Sequence, residues 1–182
     1  MRRATVIGLM ALALSLGPGT QGVTAQLGLS AEARVGATVP VGDFTDANQE
    51  TGLGIGAELG LHFNPTFSGY LSFSRHAFGC EDSCALGDEP RSTGVGAGVR
   101  VAFPSPADAL LWTRAGVTGR RWSGGPVEGD TEWGFELGAG IDLLVARDIF
   151  VVPHVAYVSH DAPQGFRASY LSLGAGLHYR FR

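Results

Sequence analysis

The stretch that decides the fold is residues 52–63, which read GLGIGAELGLHF. Every second residue from Leu53 to Phe63 is apolar, and the alternate positions hold glycine, Glu58 and His62. A two-residue period over this length is typical of a β-strand with one apolar and one polar face. The polar face is too rich in glycine for the solvent face of a soluble sandwich. Apolar side chains toward lipid, with small or charged ones toward a narrow lumen, instead predict a transmembrane β-barrel.

The same alternation recurs along the rest of the chain and predicts an all-β fold, an eight-stranded antiparallel up-and-down transmembrane barrel. The eight segments are 26–41, 52–63, 66–78, 92–103, 109–121, 131–144, 149–159 and 169–181. The fifth is irregular because Trp112 shares a parity with Arg114 and Arg120, which a bulge or a tryptophan at the membrane interface would explain. The seventh is apolar on both parities and contains Pro153, so that its periodicity alone is ambiguous.

The connections between these segments alternate in length. Short turns are expected at 64–65, 104–108 and 146–148, and longer polar loops at 42–51, 79–91, 122–130 and 160–168. Outer-membrane barrels have short periplasmic turns and longer extracellular loops. An even number of strands then places both ends of the chain on the periplasmic side.

The N-terminus has the pattern of a secretory signal peptide. Arg2 and Arg3 precede a short apolar run, and Val23-Thr24-Ala25 supplies small residues for cleavage. The run is too short to cross a bilayer as a helix. We therefore expect a signal peptide over 1–25 and one barrel domain over 26–182.

Export also bears on the two cysteines, Cys80 and Cys84. Proteins exported from the cytosol meet an oxidising compartment, where such a pair normally forms a disulfide. A metal site is the alternative, but it would need further soft ligands, and none lies nearby. We predict a disulfide and expect no bound metal and no cofactor.

The charged residues indicate what fills the lumen. The chain has a formal net charge of −4, with arginine as its only basic residue apart from histidine, and lacks the basic footprint of a nucleic-acid binder. An eight-stranded barrel is only wide enough for side chains to fill it. Buried charges must be paired, so we predict an internal salt-bridge network that plugs the lumen. Its predicted members, which share the inward parity, are Glu32, Arg34, Glu58, Arg100, Arg114, Arg120, Glu132, Glu136, Asp142 and Arg180. A charged channel constriction is the functional alternative.

Two further features are candidates for functional sites. The long loops are acidic, and solvation is their simplest role, with cation bridging to lipid phosphates as the alternative. Ser159-His160-Asp161 has the residue types of a catalytic triad, but adjacent strand residues point to opposite faces and cannot easily converge. Ser74 and His76 share the inward face. We expect no catalytic residues.

The last segment resembles the C-terminal signal by which bacterial outer-membrane proteins engage the barrel-assembly machinery. In 176–181, GLHYRF, the matching positions are Gly176, Tyr179 and Phe181. Residues 35–44, VGATVPVGDF, also resemble the first strand and loop of small OmpX/OmpA/OmpW-like barrels. The resemblance implies a bacterial outer-membrane location, with the assembly machinery and outer-membrane lipids as partners. We expect no nucleic-acid partner, in line with the charge balance, and a monomer.

The sequence therefore predicts a class of function rather than a defined role. We expect a non-enzymatic outer-membrane barrel with a structural or surface-interaction role. Passage of small solutes, apolar ones included, and, less favoured, modification of lipid A remain as alternatives. A soluble lipocalin-like barrel would need bulky apolar side chains inside, which the glycine-rich inward face does not provide.

Overall fold

The structure is a computed structural model that describes residues 27–46, 49–80, 90–104, 109–124, 130–161 and 167–181. The predicted signal peptide lies outside this range. The predicted disulfide also lies outside it, since Cys84 and the side chain of Cys80 are not among the described parts.

Eight antiparallel strands form a closed barrel in which each strand pairs with its neighbours in sequence and the last pairs with the first. The strands are β1 (Gly28–Val41), β2 (Gln49–His62), β3 (Phe67–Cys80), β4 (Arg91–Pro104), β5 (Ala109–Ser123), β6 (Thr131–Ala146), β7 (Ile149–Asp161) and β8 (Arg167–Arg180). The predicted fold class is confirmed. A one-turn helix, α1 (Asp43–Asp46), lies in the first long loop, where the sequence predicted only a loop. Among the residues that the structure describes, no helix has the length and apolarity to cross a membrane.

The two faces of the wall follow the two-residue period. Large apolar side chains point outward, with Leu59 62% and Leu71 64% exposed, whereas Glu58 and Tyr70 next to them are only 5% exposed and point inward. Leaving so much apolar surface on the outside is unfavourable in water and favourable in lipid. The alternation therefore indicates a barrel whose apolar outer face contacts a membrane.

The irregularities of β5 and β7 have explanations inside the barrel. β5 pairs with β4 and β6 without a register shift, so the predicted bulge is wrong. Trp112 is 2% exposed and points inward, where it binds the Asp142 carboxylate, so the predicted interfacial position is also wrong. β7 is apolar on both parities because its inward Val152 and Val158 pack into two apolar clusters in the lumen.

The barrel has two distinct ends. The turn side carries the chain ends and the short connections 63–66, 105–108 and 147–148. The loop side carries the connections 42–48, 81–90, 124–130 and 162–166. The longest of them is 81–90, and 162–166 is scarcely longer than a turn, because β7 and β8 continue further than the sequence predicted.

Candidate functional site in the barrel lumen

The lumen is filled by three groups of side chains stacked along the barrel axis. In the middle lies the central ion network, formed by Glu32, Arg34, Glu58, Arg100, Arg114, Glu136, Asp142 and Arg180. Toward the loops lies the loop-side plug, formed by Phe44, Phe78, Trp122, Val158, Ala168 and Tyr170. Toward the turns lies the turn-side plug, formed by Ala102, Leu110, Trp112, Phe150 and Val152.

Glu58 is the hub of the central ion network. Its Oε2 accepts hydrogen bonds from Arg34 Nη2 and, at 2.6 Å, from Arg114 Nη1, while Arg100 Nη1 lies 3.9 Å from Oε1. Arg34 also donates to Glu32 through Nε at 2.6 Å. The Glu58 side chain is 4% exposed, so its charge depends on these arginines for the stabilisation that water would otherwise supply.

Asp142 is the second hub and lies nearer the turn side. It pairs with Arg100 and, at 3.1 Å, with Arg180 Nη2. Trp112 Nε1 donates to its Oδ1 at 2.8 Å, and His178 Nδ1 lies 3.4 Å from Oδ2. The Arg100 guanidinium also stacks 4.0 Å above the Trp112 ring, a cation–π contact. Asp142 therefore joins the central ion network to the turn-side plug.

Glycines allow Tyr70 to cross the lumen. Tyr70, Gly98, Gly116 and Glu136 are successive cross-strand neighbours on β3 to β6. The Tyr70 hydroxyl passes over both glycines and donates to Glu136 Oε1 at 2.6 Å. A Cβ at Gly98 would lie 2.7 Å from the Tyr70 Oη, and one at Gly116 only 2.3 Å from it. The two glycines thus make room for a hydrogen bond that spans four strands.

The loop-side plug consists mainly of aromatic rings. Phe44, carried by α1, meets Phe78 edge-to-face with ring centroids 5.0 Å apart and Trp122 at 5.6 Å. Phe78 also meets Tyr170 at 5.4 Å. These rings are at most 4% exposed, so α1 acts as the lid of the barrel on this side. Such offset contacts are the geometries that aromatic pairs prefer.

A small cavity of about 40 Å³ remains in the lumen. Its lining includes Arg34, Ser72, Ser74, His154 and Ser172. At roughly 10–15 Å³ of such volume for each water, it has room for about three water molecules. The lumen therefore has room for water near its middle and is packed with side chains toward both ends.

Two of the predicted charged residues lie outside the central ion network. Arg120 is buried, but it donates to Ser92 Oγ at 2.8 Å, Ser74 Oγ at 2.9 Å and the Ser92 carbonyl at 3.0 Å. Glu132 lies opposite Arg120 in register, is half-buried, and makes no ion pair with any described residue. Eight of the ten predicted residues are brought together, and these two meet neither each other nor the rest.

The residues of the predicted assembly signal occupy both faces of β8. Gly176 is inward and lies beside Glu32, whose Oε1 would be 2.6 Å from a Cβ at this position. Tyr179 and Phe181 point outward and meet edge-to-face at 4.9 Å. Both rings are about half exposed, as expected for aromatic residues of a membrane-interface belt.

The candidate catalytic residues are engaged with other partners. Ser159 shares a hydrogen bond of 3.0 Å with Ser169 on the outer face, while the His160 ring is inward and contacts the Asp161 carbonyl oxygen. Ser74 accepts from Arg120, and His76 Nδ1 lies 2.8 Å from Thr38 Oγ1. Within the described parts of the chain, these four residues make no hydrogen bond to one another, which a nucleophile and its base require.

One serine does contact a histidine inside the barrel. His62 Nε2 lies 3.0 Å from Ser30 Oγ, on the inward face near the turn-side end of β1 and β2. The His62 ring also stacks against the His178 ring, with centroids 6.4 Å apart. This pair fills the turn-side end of the lumen and is turned away from the lipid.

Sequence reasoning missed the aromatic and histidine members of the site. The two-residue alternation places Tyr70 and His178 on the inward face, and Trp112 does not fit the alternation of its strand. The alternation assigns none of these three residues a partner. The sequence does contain a signal for them. Each of these side chains has a polar atom and lies at an inward position, where carboxylates in the lumen are available as hydrogen-bond partners.

The family comparison agrees with this architecture. A family model described as the outer membrane protein β-barrel domain matches residues 6–181. The chain belongs to this family. The barrel accordingly resides in the bacterial outer membrane. Barrels of this kind carry their longer loops on the extracellular side and their short turns on the periplasmic side.

Several solved structures share the fold of this outer membrane barrel at low sequence identity. Neisserial surface protein A is 13% identical with a TM-score of 0.66, over 85% of this chain and 96% of its own. A major outer membrane protein from Thermus thermophilus is 14% identical with a TM-score of 0.58, over 85% and 99%. OprG from Pseudomonas aeruginosa is 10% identical with a TM-score of 0.53, over 82% and 95%. No curated protein sequence matches the chain.

Proposed function

We propose that this outer membrane barrel is a closed, non-enzymatic barrel that acts through its surfaces rather than through its lumen. The observation that carries the proposal is the double closure of the interior, by the loop-side plug at one end and the turn-side plug at the other. A transported solute would have to displace both plugs and the central ion network between them.

The charge balance of the lumen supports a structural role for the interior. The central ion network contains four carboxylates and four arginines, all within 4 Å of an opposite charge. A selective channel instead places one sign of charge around a water-filled constriction. Mutually neutralised charges tie the strands together and leave no net charge to attract an ion.

The surroundings of the candidate serines and histidines support a non-enzymatic role. Ser74 and His76 share a face, as a nucleophile and base would, but each is bound to a different partner. Ser30 and His62 do contact each other, yet both pairs face the lumen, where a membrane lipid cannot reach them. What remains available to partners is the outer wall and the acidic extracellular loops.

The proposal is tested by conductance. We expect the refolded wild-type barrel to give no steady single-channel conductance in a planar bilayer. Trp112→Ala combined with Trp122→Ala removes one large ring from each plug and should open a measurable ion leak. Trp133→Ala, which removes an outward-facing ring of the same type, is the matched control and should remain silent.

Steady conductance of the wild type, or uptake of small solutes into vesicles that contain it, would overturn the proposal in favour of solute passage. Release of fatty acid from lipid A by the purified barrel would overturn it in favour of the lipid-modifying alternative. A gel-mobility shift on boiling, measured on each variant, shows that the barrel has folded.

A further inference from the structure

The lipid-facing wall carries three arginines near its loop-side end. Arg75 on β3 and Arg121 on β5 are both cross-strand neighbours of Thr93 on β4, so they stand on one level of the wall. Arg91 lies two residues from Thr93 on the same face, one step nearer the loops. At the usual spacing between strands, Arg75 and Arg121 are about 10 Å apart at their backbones, a separation that two arginine side chains can bridge.

These arginines have no ionic partner in the described structure. Arg75, Arg91 and Arg121 lie within ion-pair distance of no described carboxylate, although every arginine of the central ion network has at least one. On the far side of the wall, Arg167 pairs with Asp161 at 3.5 Å. Among the described residues, no carboxylate neutralises these three charges, so a negative group from outside the protein can bind there.

Their level on the wall matches the outer boundary of the membrane. Phe67 and Arg75 stand about 26 Å apart along β3 at the usual rise per residue. With a strand tilt of about 40°, this spans about 20 Å along the membrane normal, close to the height of the apolar band of such barrels. Phe67 is an exposed aromatic residue at the first position of β3, on the turn side, where barrels of this type carry an aromatic girdle. Arg75 therefore lies where the lipid headgroups of the outer leaflet begin.

An apolar groove begins directly below the arginines. The next cross-strand row toward the turn side is Phe73, Val95, Gly119 and Trp133. An open groove of about 570 Å³ is lined by three of these residues together with Leu59, Leu71, Ala57, Ala97 and Val117. Trp133 is 68% exposed and its ring lies beside Gly119, where a Cβ would be 3.4 Å from it. The volume is within the range of small-ligand sites.

We propose that the three arginines and the groove below them form a binding site for one phosphorylated, acylated lipid of the outer leaflet. The guanidinium groups of Arg75 and Arg121, assisted by Arg91, donate to its phosphate, and an acyl chain lies along Phe73, Val95 and Trp133. Guanidinium is suited to this role because its planar donors match phosphate oxygens in pairs. Groove and arginines share strands β3 to β5, so that one molecule can satisfy both.

The occupant follows from the chemistry of the two halves. Three arginines that pair with no described carboxylate favour a headgroup with more than one negative charge, and a lipid with a single phosphate supplies only one. The apolar groove requires an acyl chain, which a free phosphate ion lacks. A phosphorylated glycolipid with several acyl chains, such as lipid A, meets both requirements. The proposal is independent of whether the lumen conducts.

The test titrates the refolded barrel in detergent micelles with diphosphorylated lipid A and counts bound lipids by native mass spectrometry. The variant Arg75→Gln/Arg121→Gln should weaken binding by about tenfold or more, since two charge-assisted contacts are lost. Arg167→Gln is the matched control, because it removes an outward arginine of the opposite wall, and it should bind like the wild type. The mobility shift on boiling verifies that each variant has folded.

A second variant tests the groove. Ala97→Trp fills it with a large ring without changing the charge and should weaken the binding of lipid A. Equal binding by the double arginine variant and the wild type would overturn the proposal. So would full binding by Ala97→Trp, or competition by inorganic phosphate at the same concentration as lipid A, since either result would mean that the acyl chain contributes nothing.

Discussion

Glu58→Gln is the sharpest test of the central ion network. Glutamine has nearly the same size and shape as glutamate, so the substitution removes a charge and creates no cavity. It leaves Arg34 and Arg114 without the carboxylate oxygen that both of them contact, and it changes the network from four carboxylates facing four arginines to three facing four. The structure therefore predicts a large loss of stability from a change of a few atoms.

The magnitude follows from the burial of the site. Removing one partner of a buried ion pair typically costs about 3–5 kcal/mol, because the other charge stays buried and uncompensated. Glutamine still offers an oxygen that accepts one hydrogen bond, so we expect a value near the lower end of that range, about 3 kcal/mol. At about 1.4 kcal/mol for each factor of ten, this changes the ratio of folded to unfolded barrel roughly a hundredfold.

The assay is equilibrium unfolding in urea of the barrel in detergent micelles, followed by tryptophan fluorescence and by mobility on gels. The midpoint should fall with an unchanged slope, which indicates lower stability and not a different unfolded state. Glu132→Gln is the matched control, since this carboxylate makes no ion pair with a described residue, and we expect a change of at most about 0.5 kcal/mol.

A second substitution should restore part of the loss. Arg34→Met added to Glu58→Gln returns the network to three charges of each sign, and balanced replacement of buried charges by apolar groups is often nearly neutral. The double variant should therefore be more stable than Glu58→Gln alone. The paired lumen is not what stabilises the barrel if Glu58→Gln and Glu132→Gln lower the free energy of unfolding by the same amount. The same conclusion follows if the double variant loses as much stability as Glu58→Gln and Arg34→Met lose together as single substitutions.

Three further predictions concern the lumen and the wall. Tyr70→Phe removes the hydroxyl that reaches across two glycines and should lower the free energy of unfolding by about 1.5–3 kcal/mol, the usual value of a hydrogen bond to a charged group, measured by urea unfolding. Gly116→Ala should displace Tyr70 and reduce the yield of refolded barrel, whereas Gly69→Ala on the outer face should not, because its nearest contact is an ordinary 3.4 Å to a ring; equal refolding yields would contradict this. Leu137→Arg, in the middle of the outer face of β6, should cost about 2–4 kcal/mol in lipid vesicles, and Leu143→Arg, on the same face but nearer the turn side, much less, so similar costs would argue against the assigned membrane level.

The fold could be predicted from the sequence because its signal is local. Apolar residues at every second position of 52–63 define a strand and its two faces without reference to any other segment. Glycine and charge on the other parity indicate which face is turned inward. The repetition of this pattern eight times, with turns between, then leaves a closed antiparallel barrel as the simplest arrangement, because closure removes every unpaired edge.

The positions of individual charges in the network could not be predicted in the same way. Parity places Arg120 and Glu132 inside and, through the register, opposite each other, yet Arg120 hydrogen-bonds to serines on β3 and β4. Parity made Trp112 irregular, because a lumen lined by charge has no evident place for an indole. The structure resolves this through Asp142, which accepts the indole N–H.

The sequence by itself determined the strands, their faces and the membrane as the surroundings of the barrel, because a two-residue period is a property of each segment alone. Only the tertiary structure decided which charges meet. The partners Glu58 and Arg114 come from β2 and β5, which do not pair with each other, and they meet across the lumen. Such contacts depend on the stagger of the whole closed barrel, and no local pattern of residues specifies that stagger.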